Sequence, residues 1–264
     1  MISKAKIKLI RSLDNKKARR KSGVFVAEGP KVVGDLLQKE QAKIVIATED
    51  WITENCKLMT DIEVIKVDAE ELRKASLLQH PQQVLALFPL PQEKTDPQAL
   101  LPLLVGQRNG GREALVIALD GVQDPGNLGT IIRVADWFGI EDVICSLSTV
   151  DAYSPKVIQA TMGSIARVRV HYTDLERLIT SLPKDFPVYG TCLNGADLYE
   201  QQLSDGGLIV MGNEGNGISP AIKALLNRRL LIPNYPKERA TADSLNVAIA
   251  TAITCAEFRR RTVS

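Results

Sequence analysis

Short, nearly continuous apolar runs alternate along this chain with stretches in which apolar positions recur every three or four residues. That is the pattern of strands interleaved with helices. In the first third, residues 24–27, 44–47, 64–67 and 84–88 read as strands, and 30–39 and 70–76 as helices, the former with Pro30 in its opening turn. They predict a small α/β domain. Ahead of it, Ile2, Ile7, Leu9, Ile10 and Leu13 supply apolar anchors at helical spacing, so part of residues 2–21 is expected to dock as a helix with a basic outer face.

Proline and glycine punctuation follows, in Pro89-Leu-Pro-Gln-Glu-Lys-Thr-Asp-Pro97 and Gly106-Gln-Arg-Asn-Gly-Gly111. It divides the chain into residues 1–92, a linker at 93–112 whose apolar 100–105 patch would form a short helix, and a second domain at 113–264. There, strands are predicted at 114–119, 143–145, 168–170, 188–191, 208–211 and 230–232. Helices are predicted at 127–138, 154–162 with Ser154 as cap, 174–182, 220–227 and 244–260. In the last helix Leu245, Ala248, Ile249, Ala252, Ile253 and Ala256 repeat at helical spacing. An alternating βα order implies a mostly parallel sheet covered on both faces.

Composition narrows the class. Of 264 residues, 45% are hydrophobic and 24% charged, which excludes extensive disorder. No apolar run approaches the roughly 18 residues of a membrane span, and the basic N-terminus leads into no signal core, so a cytoplasmic protein is expected. Cys56, Cys145, Cys192 and Cys255 form no Cys-x-x-Cys pair and read as small buried hydrophobes. With His80 and His171 as the only histidines, neither a His-rich metal site nor a Ser-His-Asp triad is supported, and no metal is expected. The net charge is only +2, so a nucleic-acid footprint must come from local clustering. Residues 4–21 provide it: lysines and arginines against the single acid Asp14, with Arg11, Lys16, Lys17, Arg19 and Arg20 as candidate RNA contacts. The plainer alternative is a solvated helix face.

Three loops after predicted strands have unusual compositions. Asp120-Gly-Val-Gln-Asp-Pro-Gly-Asn-Leu-Gly-Thr-Ile-Ile-Arg133 contains Asp124 and Pro125 to open a helix. Asn127 and Arg133 lie six residues apart, about 240° round a helix, so they meet only if Asn127 sits in the loop. Val210-Met-Gly-Asn-Glu-Gly-Asn-Gly-Ile-Ser219 places three glycines around Glu214 just past a strand, where open α/β sheets bind ligands. Its spacing matches neither a dinucleotide fingerprint nor a Walker loop. In Ile232-Pro-Asn-Tyr-Pro-Lys-Glu-Arg-Ala-Thr-Ala-Asp-Ser-Leu-Asn246, Asp243 and Ser244 are candidate helix caps and Asn246 would aim its amide from the first turn.

Together and in this order, the loops resemble the three motifs of the SpoU (TrmH) family of RNA ribose methyltransferases, within the SPOUT superfamily. The resemblance spans 114–258 and includes Ser154-Pro-Lys and Tyr189-Gly-Thr. Phe25-Val-Ala-Glu-Gly-Pro-Lys-Val-Val and His80-Pro-Gln-Gln-Val-Leu-Ala-Leu resemble the smaller, ribosomal-protein-like α/β substrate-binding domain that many members carry. The resemblance implies a C-terminal SPOUT domain with a parallel sheet and a deep trefoil knot, S-adenosylmethionine as cofactor, and a homodimer formed through that domain. It places Thr191, Gly212, Ile232 and Leu245 around the cofactor, and Asn127, Arg133, Glu214, Ser244 and Asn246 in the active site. The third motif departs from the family in its longer run 234–243, with Pro236 and Lys237-Glu-Arg239.

The reaction so implied is transfer of a sulfonium methyl to a ribose 2′-oxygen. Arginine, with a solution pKa above about 12, is a poor general base, so Arg133 is expected to grip the neighbouring phosphate and polarise the hydroxyl. Asn127 and Asn246 would position it and the ribose, while Ser244 and Glu214 would shape the loops and contact RNA. Large-subunit ribosomal RNA is the preferred substrate, on the ribosomal-protein-like look of the first domain. Transfer RNA is the alternative. A binder that has lost catalysis and a nucleotide-handling α/β enzyme are the rival functions; the intact Asn127, Arg133 and Ser244-Leu-Asn246 set opposes the first, and the absent phosphate-loop lysine opposes the second.

Overall fold

A computed structural model describes residues 2–92, 95–106, 113–236 and 242–262, and its chain divides into two compact units. The first comprises Met1–Gln92 and Asp151–Arg167, the second Glu93–Val150 and Val168–Ser264. The segment Asp151–Arg167, which the sequence pattern groups with the second domain, thus clusters with the first.

The basic N-terminal stretch folds as two helices, α1 (Lys4–Ser12) and α2 (Lys16–Ser22). Each has a side-chain cap: Ser3 Oγ accepts from the Lys6 N–H at 3.3 Å and Asn15 Oδ1 from the Lys17 N–H at 2.8 Å. Then come β1 (Val24–Glu28), α3 (Pro30–Leu37), β2 (Ile44–Ala47), α4 (Glu49–Asn55), β3 (Glu63–Lys66), α5 (Ala69–Ala75) and β4 (Val84–Pro89). The strands form a sheet in the order β1-β4-β2-β3, with β4 antiparallel to both neighbours and β3 parallel to β2. Ile10 and Leu13 join Val26, Ile46, Leu72 and Leu85 in one core, so the anchors of the basic stretch dock as expected.

Arg19 departs from its expected role as an RNA contact. Only 2% of it is exposed. Its guanidinium donates to the Leu13 and Asp14 carbonyls at 2.6 and 2.9 Å and to Asp151 at 2.6 Å. A buried arginine with a carboxylate partner and two carbonyls fastens this unit internally and offers nothing to a phosphate. Arg11, Lys16, Lys17 and Arg20 are exposed, although the Arg11 Nε–H donates to the Lys74 carbonyl at 2.8 Å.

The second unit contains α6 (Pro97–Val105), β5 (Leu115–Asp120), α7 (Pro125–Trp137) and β6 (Asp142–Ser146). After α8 (Pro155–Thr161), which belongs to the first unit, it continues with β7 (Arg169–Thr173), α9 (Leu175–Thr180), β8 (Val188–Asp197), β9 (Gly207–Gly212), α10 (Pro220–Leu225), β10 (Arg228–Leu231) and α11 (Val247–Thr262). Its strands form a six-stranded sheet, β10-β8-β9-β5-β6-β7, parallel throughout. From β5 the chain moves outward through β6 and β7, then crosses to β8 and inserts β9 back beside β5. That reversal is a topological switch point, and it opens a crevice beyond the carboxyl ends of β8, β9 and β5. On the far side, the buried Asp142 carboxylate receives Arg169 Nε and Nη2 at 2.8 and 2.7 Å and lies 2.9 Å from His171 Nε2, so that histidine serves the sheet.

Helix α11 buries a different stripe from the predicted repeat. Ala248 is buried as expected, but the rest of the buried face is Val247, Thr251, Thr254, Cys255, Glu257 and Phe258, whereas Leu245 and Ile249 are about half exposed. The buried Thr251 hydroxyl is satisfied by donating to the Val247 carbonyl at 2.7 Å. Phe258 meets Tyr189 edge-on at 4.9 Å, and α11 packs on α7 and β9. Cys145 and Cys255 are buried as predicted, but Cys56 is exposed and Cys192 half-buried.

Candidate active site

The second and third unusual loops line a cleft of about 450 Å³ at the switch point, and the first is hydrogen-bonded to both. Its walls include Met211, Ile218, Leu230, Ile232, Leu245 and Val247, with Asn213, Glu214 and Asn216 among the polar groups. This size and mixture suit a small molecule with an apolar body and a few polar edges. Backbone approaches closely here. A Cβ built on Gly212 would lie 2.2 Å from the Gly217 carbonyl carbon, and Gly217 itself has φ +67°, so both positions require glycine. Asn213 and Gly217 exchange two backbone hydrogen bonds at 2.9 Å, while Asn213 Oδ1 accepts from the Gly215 and Asn216 N–H groups at 3.0 Å. The Gly-rich loop is therefore a closed, hydrogen-bonded turn.

Glu214 ties this turn to the first loop. Oε1 accepts from the Asp124 N–H at 3.1 Å and from Asn127 Nδ2 at 3.0 Å, and Oε2 accepts from the Gln123 N–H at 3.2 Å. Asn213 Nδ2 adds a bond to the Gly121 carbonyl at 2.8 Å. Partial burial pushes the Glu214 carboxyl up. The bonds from the Asn127 amide and from the Glu214, Asp124 and Gln123 N–H groups together outweigh it and hold the group below the ordinary carboxylate value.

The third loop joins through Asn246, which is the residue that caps α11. Its Oδ1 accepts from the Ala248 and Ile249 N–H groups at 2.9 and 3.3 Å. Neither Asp243 nor Ser244 takes that part, because the helix starts at Val247. With Oδ1 committed to the helix, Nδ2 must face outward, and it donates to Asn127 Oδ1 at 2.9 Å. That in turn commits Asn127 Nδ2 to Glu214. Each amide's orientation follows from the last, and the relay Asn246–Asn127–Glu214 closes all three loops with one direction of polarity. Asn127 is further fixed by its N–H, which donates to the α7 cap Asp124 at 2.8 Å.

Of the predicted active-site residues, Asn127, Glu214 and Asn246 therefore meet, and Ser244 lines the cleft beside them. Thr191, Gly212, Ile232 and Leu245 also line it. Arg133 does not join. Helix α7 begins at Pro125, so Asn127 lies within the helix and not in the loop, and Arg133 points from another face. It is exposed and has no partner among the described residues. The Lys237-Glu-Arg239 insertion of the third loop lies outside the described residues. Asn213 was not singled out in the sequence; its signal, an asparagine between a strand-ending glycine and a Gly-rich turn, is common to many loops.

Residues 114–256 match the SpoU rRNA Methylase family, and residues 4–86 match the MRM3-like substrate binding domain. The chain belongs to the SpoU rRNA methylase family. Among its relatives is the 23S rRNA (guanosine(2553)-2′-O)-methyltransferase RlmP of Bacillus subtilis, 32% identical over 94% of this chain and 93% of that protein. A TrmH-family protein from Porphyromonas gingivalis superposes with a TM-score of 0.83 at 37% identity, covering 99% of both chains. An AdoMet-bound rRNA methyltransferase from Sinorhizobium meliloti gives the same TM-score at 28% identity, covering 100% of this chain and 97% of that one.

Proposed function

We propose that this protein methylates a ribose 2′-hydroxyl of RNA at the expense of S-adenosylmethionine, in the cytoplasm, and that its substrate is large-subunit ribosomal RNA. The observation that carries this reading is the Asn246–Asn127–Glu214 relay, which joins three loops and ends at Glu214 in the wall of a cleft of fitting size, in a chain of this family. Similarity to the Bacillus enzyme over nearly the whole chain favours the ribosomal substrate.

The cofactor supplies a methyl group already activated on sulfonium, which leaves the protein to bind, align and manage one proton. Backbone at Thr191, Gly212, Ile232 and Leu245 would hold the adenosyl part, with Met211, Ile218 and Val247 as apolar walls. The relay holds Asn127 Oδ1 with a lone pair to spare for the incoming ribose hydroxyl. Arg133 would grip the adjacent phosphate and polarise that hydroxyl, and the phosphate would take the proton.

Because α7 directs Arg133 away from its own relay, the reading requires a homodimer through the second unit. Three features support it: Arg133 has no partner among the described residues, Trp137 one turn further on is 85% exposed, and Ile249 is half exposed on the packed helix α11. Membership of this family supports a deep trefoil knot in the second unit. The remaining basic residues Arg11, Lys16, Lys17 and Arg20 would hold RNA on a ribosomal-protein-like substrate-binding domain, residues 1–92, the larger part of the first unit.

The test is transfer of radiolabelled methyl from S-adenosylmethionine into total RNA from a strain lacking the gene, separated into ribosomal and transfer fractions. Alkali-resistant label in the large ribosomal RNA is expected. Label confined to transfer RNA would replace the substrate, and no label with no cofactor binding would remove the enzyme reading.

A further inference from the structure

We propose that the β10 edge of the second unit's sheet is a track for a single-stranded stretch of the RNA substrate, gripped by Lys223, Arg228 and Arg229 and stacked on Tyr199 and Tyr235. The inference rests on the reading of RNA as substrate and adds a binding surface on the methyltransferase unit itself.

Among the described residues strand β10 pairs only with β8, and it lies at the end of the sheet. Arg228 and Arg229 open it, and both are exposed. Their guanidinium groups donate to backbone carbonyls alone, Arg228 to Asn227 at 3.0 Å and Arg229 to Lys223 at 3.3 Å. Neither has a carboxylate partner among the described residues, and nor does Lys223, whose side chain lines the rim of the cleft. Three adjacent cations are thus left uncompensated in a chain of net charge +2. Other exposed lysines of the chain do have carboxylate partners, Lys66 with Glu49 and Lys74 with Glu70 among them.

The far end of the same edge is aromatic. The Leu198 N–H donates to the Leu231 carbonyl at 2.8 Å, which brings the turn after β8 alongside the end of β10. Tyr199 on that turn is 50% exposed, and Tyr235, a few residues beyond Leu231, is 90% exposed. Four residues of strand separate the two ends by roughly 10 Å. Cations that follow the backbone, together with aromatic faces for unstacked bases, are how proteins hold single-stranded nucleic acid. The track runs along the cleft where the methyl donor would bind, so a strand on it would present its neighbouring nucleotide to the relay.

The probe is a fluorescent oligouridylate of about 12 nucleotides, long enough for one such groove, titrated onto the full-length protein over a range of salt, with a duplex of equal length as control. The wild type should prefer the single strand. Arg228→Ala with Arg229→Ala should weaken binding about tenfold and lower the salt slope by about 1.4, two contacts at about 0.7 each. Arg228→Lys with Arg229→Lys should restore the slope. Tyr235→Ala should weaken binding about tenfold, while Tyr235→Phe stays close to wild type. Cofactor affinity and melting temperature should not move in any of them. Wild-type affinity and slope in the double alanine variant would overturn the track. So would a variant that binds RNA normally but self-associates, since the arginines would then only guard the sheet edge. A wild-type protein that moves no methyl into any RNA would instead overturn the reading beneath.

Discussion

Asn246 is asked to do two things with one amide, and two substitutions separate them. Asn246→Ala removes both. Loss of an N-cap costs about 1 kcal/mol, and loss of the exposed bond to Asn127 about another 1 kcal/mol or less. The sum of about 2 kcal/mol should lower the melting temperature of a unit of this size by about 6 °C. Asn246→Asp keeps the cap, since a carboxylate serves a helix N-terminus as well as an amide does. It destroys the relay, because a carboxylate oxygen now faces Asn127 Oδ1, where Nδ2 donated at 2.9 Å. Asn127 must either tolerate that repulsion or flip, and a flip turns its carbonyl toward the Glu214 carboxylate, 3.0 Å from the present donor. The stability cost should stay near 1 kcal/mol or below, because solvent screens the site.

Activity should not follow stability. A misplacement on the order of 1 Å in a positioning group costs about a hundredfold in rate. Both variants should therefore lose about a hundredfold in methyl transfer at saturating cofactor, although only the alanine variant melts early. Thermal denaturation and single-turnover transfer from labelled S-adenosylmethionine measure the two effects on the same samples. An aspartate variant with wild-type turnover would refute the relay as the positioning element. An alanine variant that melts with the wild type would refute the cap.

Asp151→Asn leaves the Arg19 guanidinium buried beside a neutral partner and should cost about 3 kcal/mol in urea denaturation, whereas Arg19→Met with Asp151→Leu should recover most of it. Gly212→Ala puts a methyl 2.2 Å from backbone at Gly217, so calorimetric cofactor binding should weaken at least tenfold while the first unit's far-ultraviolet signature persists. Burial raises the Glu28 carboxyl, and the bonds from the Ser76 hydroxyl and the Leu77 N–H only partly offset it. Its contribution to stability is therefore full below the ordinary value of 4.5 and is lost as pH rises through the higher folded value. Glu28→Gln should flatten that decline and gain on the wild type at pH 7 in denaturation profiles. Glu214 has the opposite sign. Its contribution holds above 4.5 and is lost as pH falls through its lower folded value, so Glu214→Gln should abolish an acid-side step in melting temperature.

Strand positions were legible because buried parallel strands are continuous apolar runs: Leu115–Asp120 and Gly207–Gly212 stand out in any window. Helix starts were less so. A capping residue can be any of several polar side chains, and around 243–246 the sequence offers Asp, Ser and Asn in four positions. Only the bonds that Asn246 accepts from the Ala248 and Ile249 N–H groups show that it is the cap. The same ambiguity moved the start of α7 from Asn127 to Pro125, and with it the conclusion about Arg133. Arg19 is hidden for another reason: within a run of cations nothing local marks the one that turns inward, because its partner Asp151 lies 132 residues away.

The α11 stripe carries the most consequence. Six apolar or small residues at helical spacing predict a helix, yet the face buried in the chain is centred on Val247, Thr251, Cys255 and Phe258, which includes a threonine and a cysteine. A helix that turns Thr251 inward while leaving Ile249 half exposed has apolar surface to spare. On α7, its packing neighbour, Trp137 is exposed in the same unit, and Arg133 stands one turn from it on the same face. Such exposure fits a surface meant to be covered. The residue that would reach a second active site, Arg133, stands at its edge. If the dimer forms there, Trp137→Glu should both dissociate it and abolish transfer while leaving the cleft able to bind cofactor, as sedimentation and calorimetry on one preparation would measure. A monomeric variant that still turns over would detach Arg133 from the reaction.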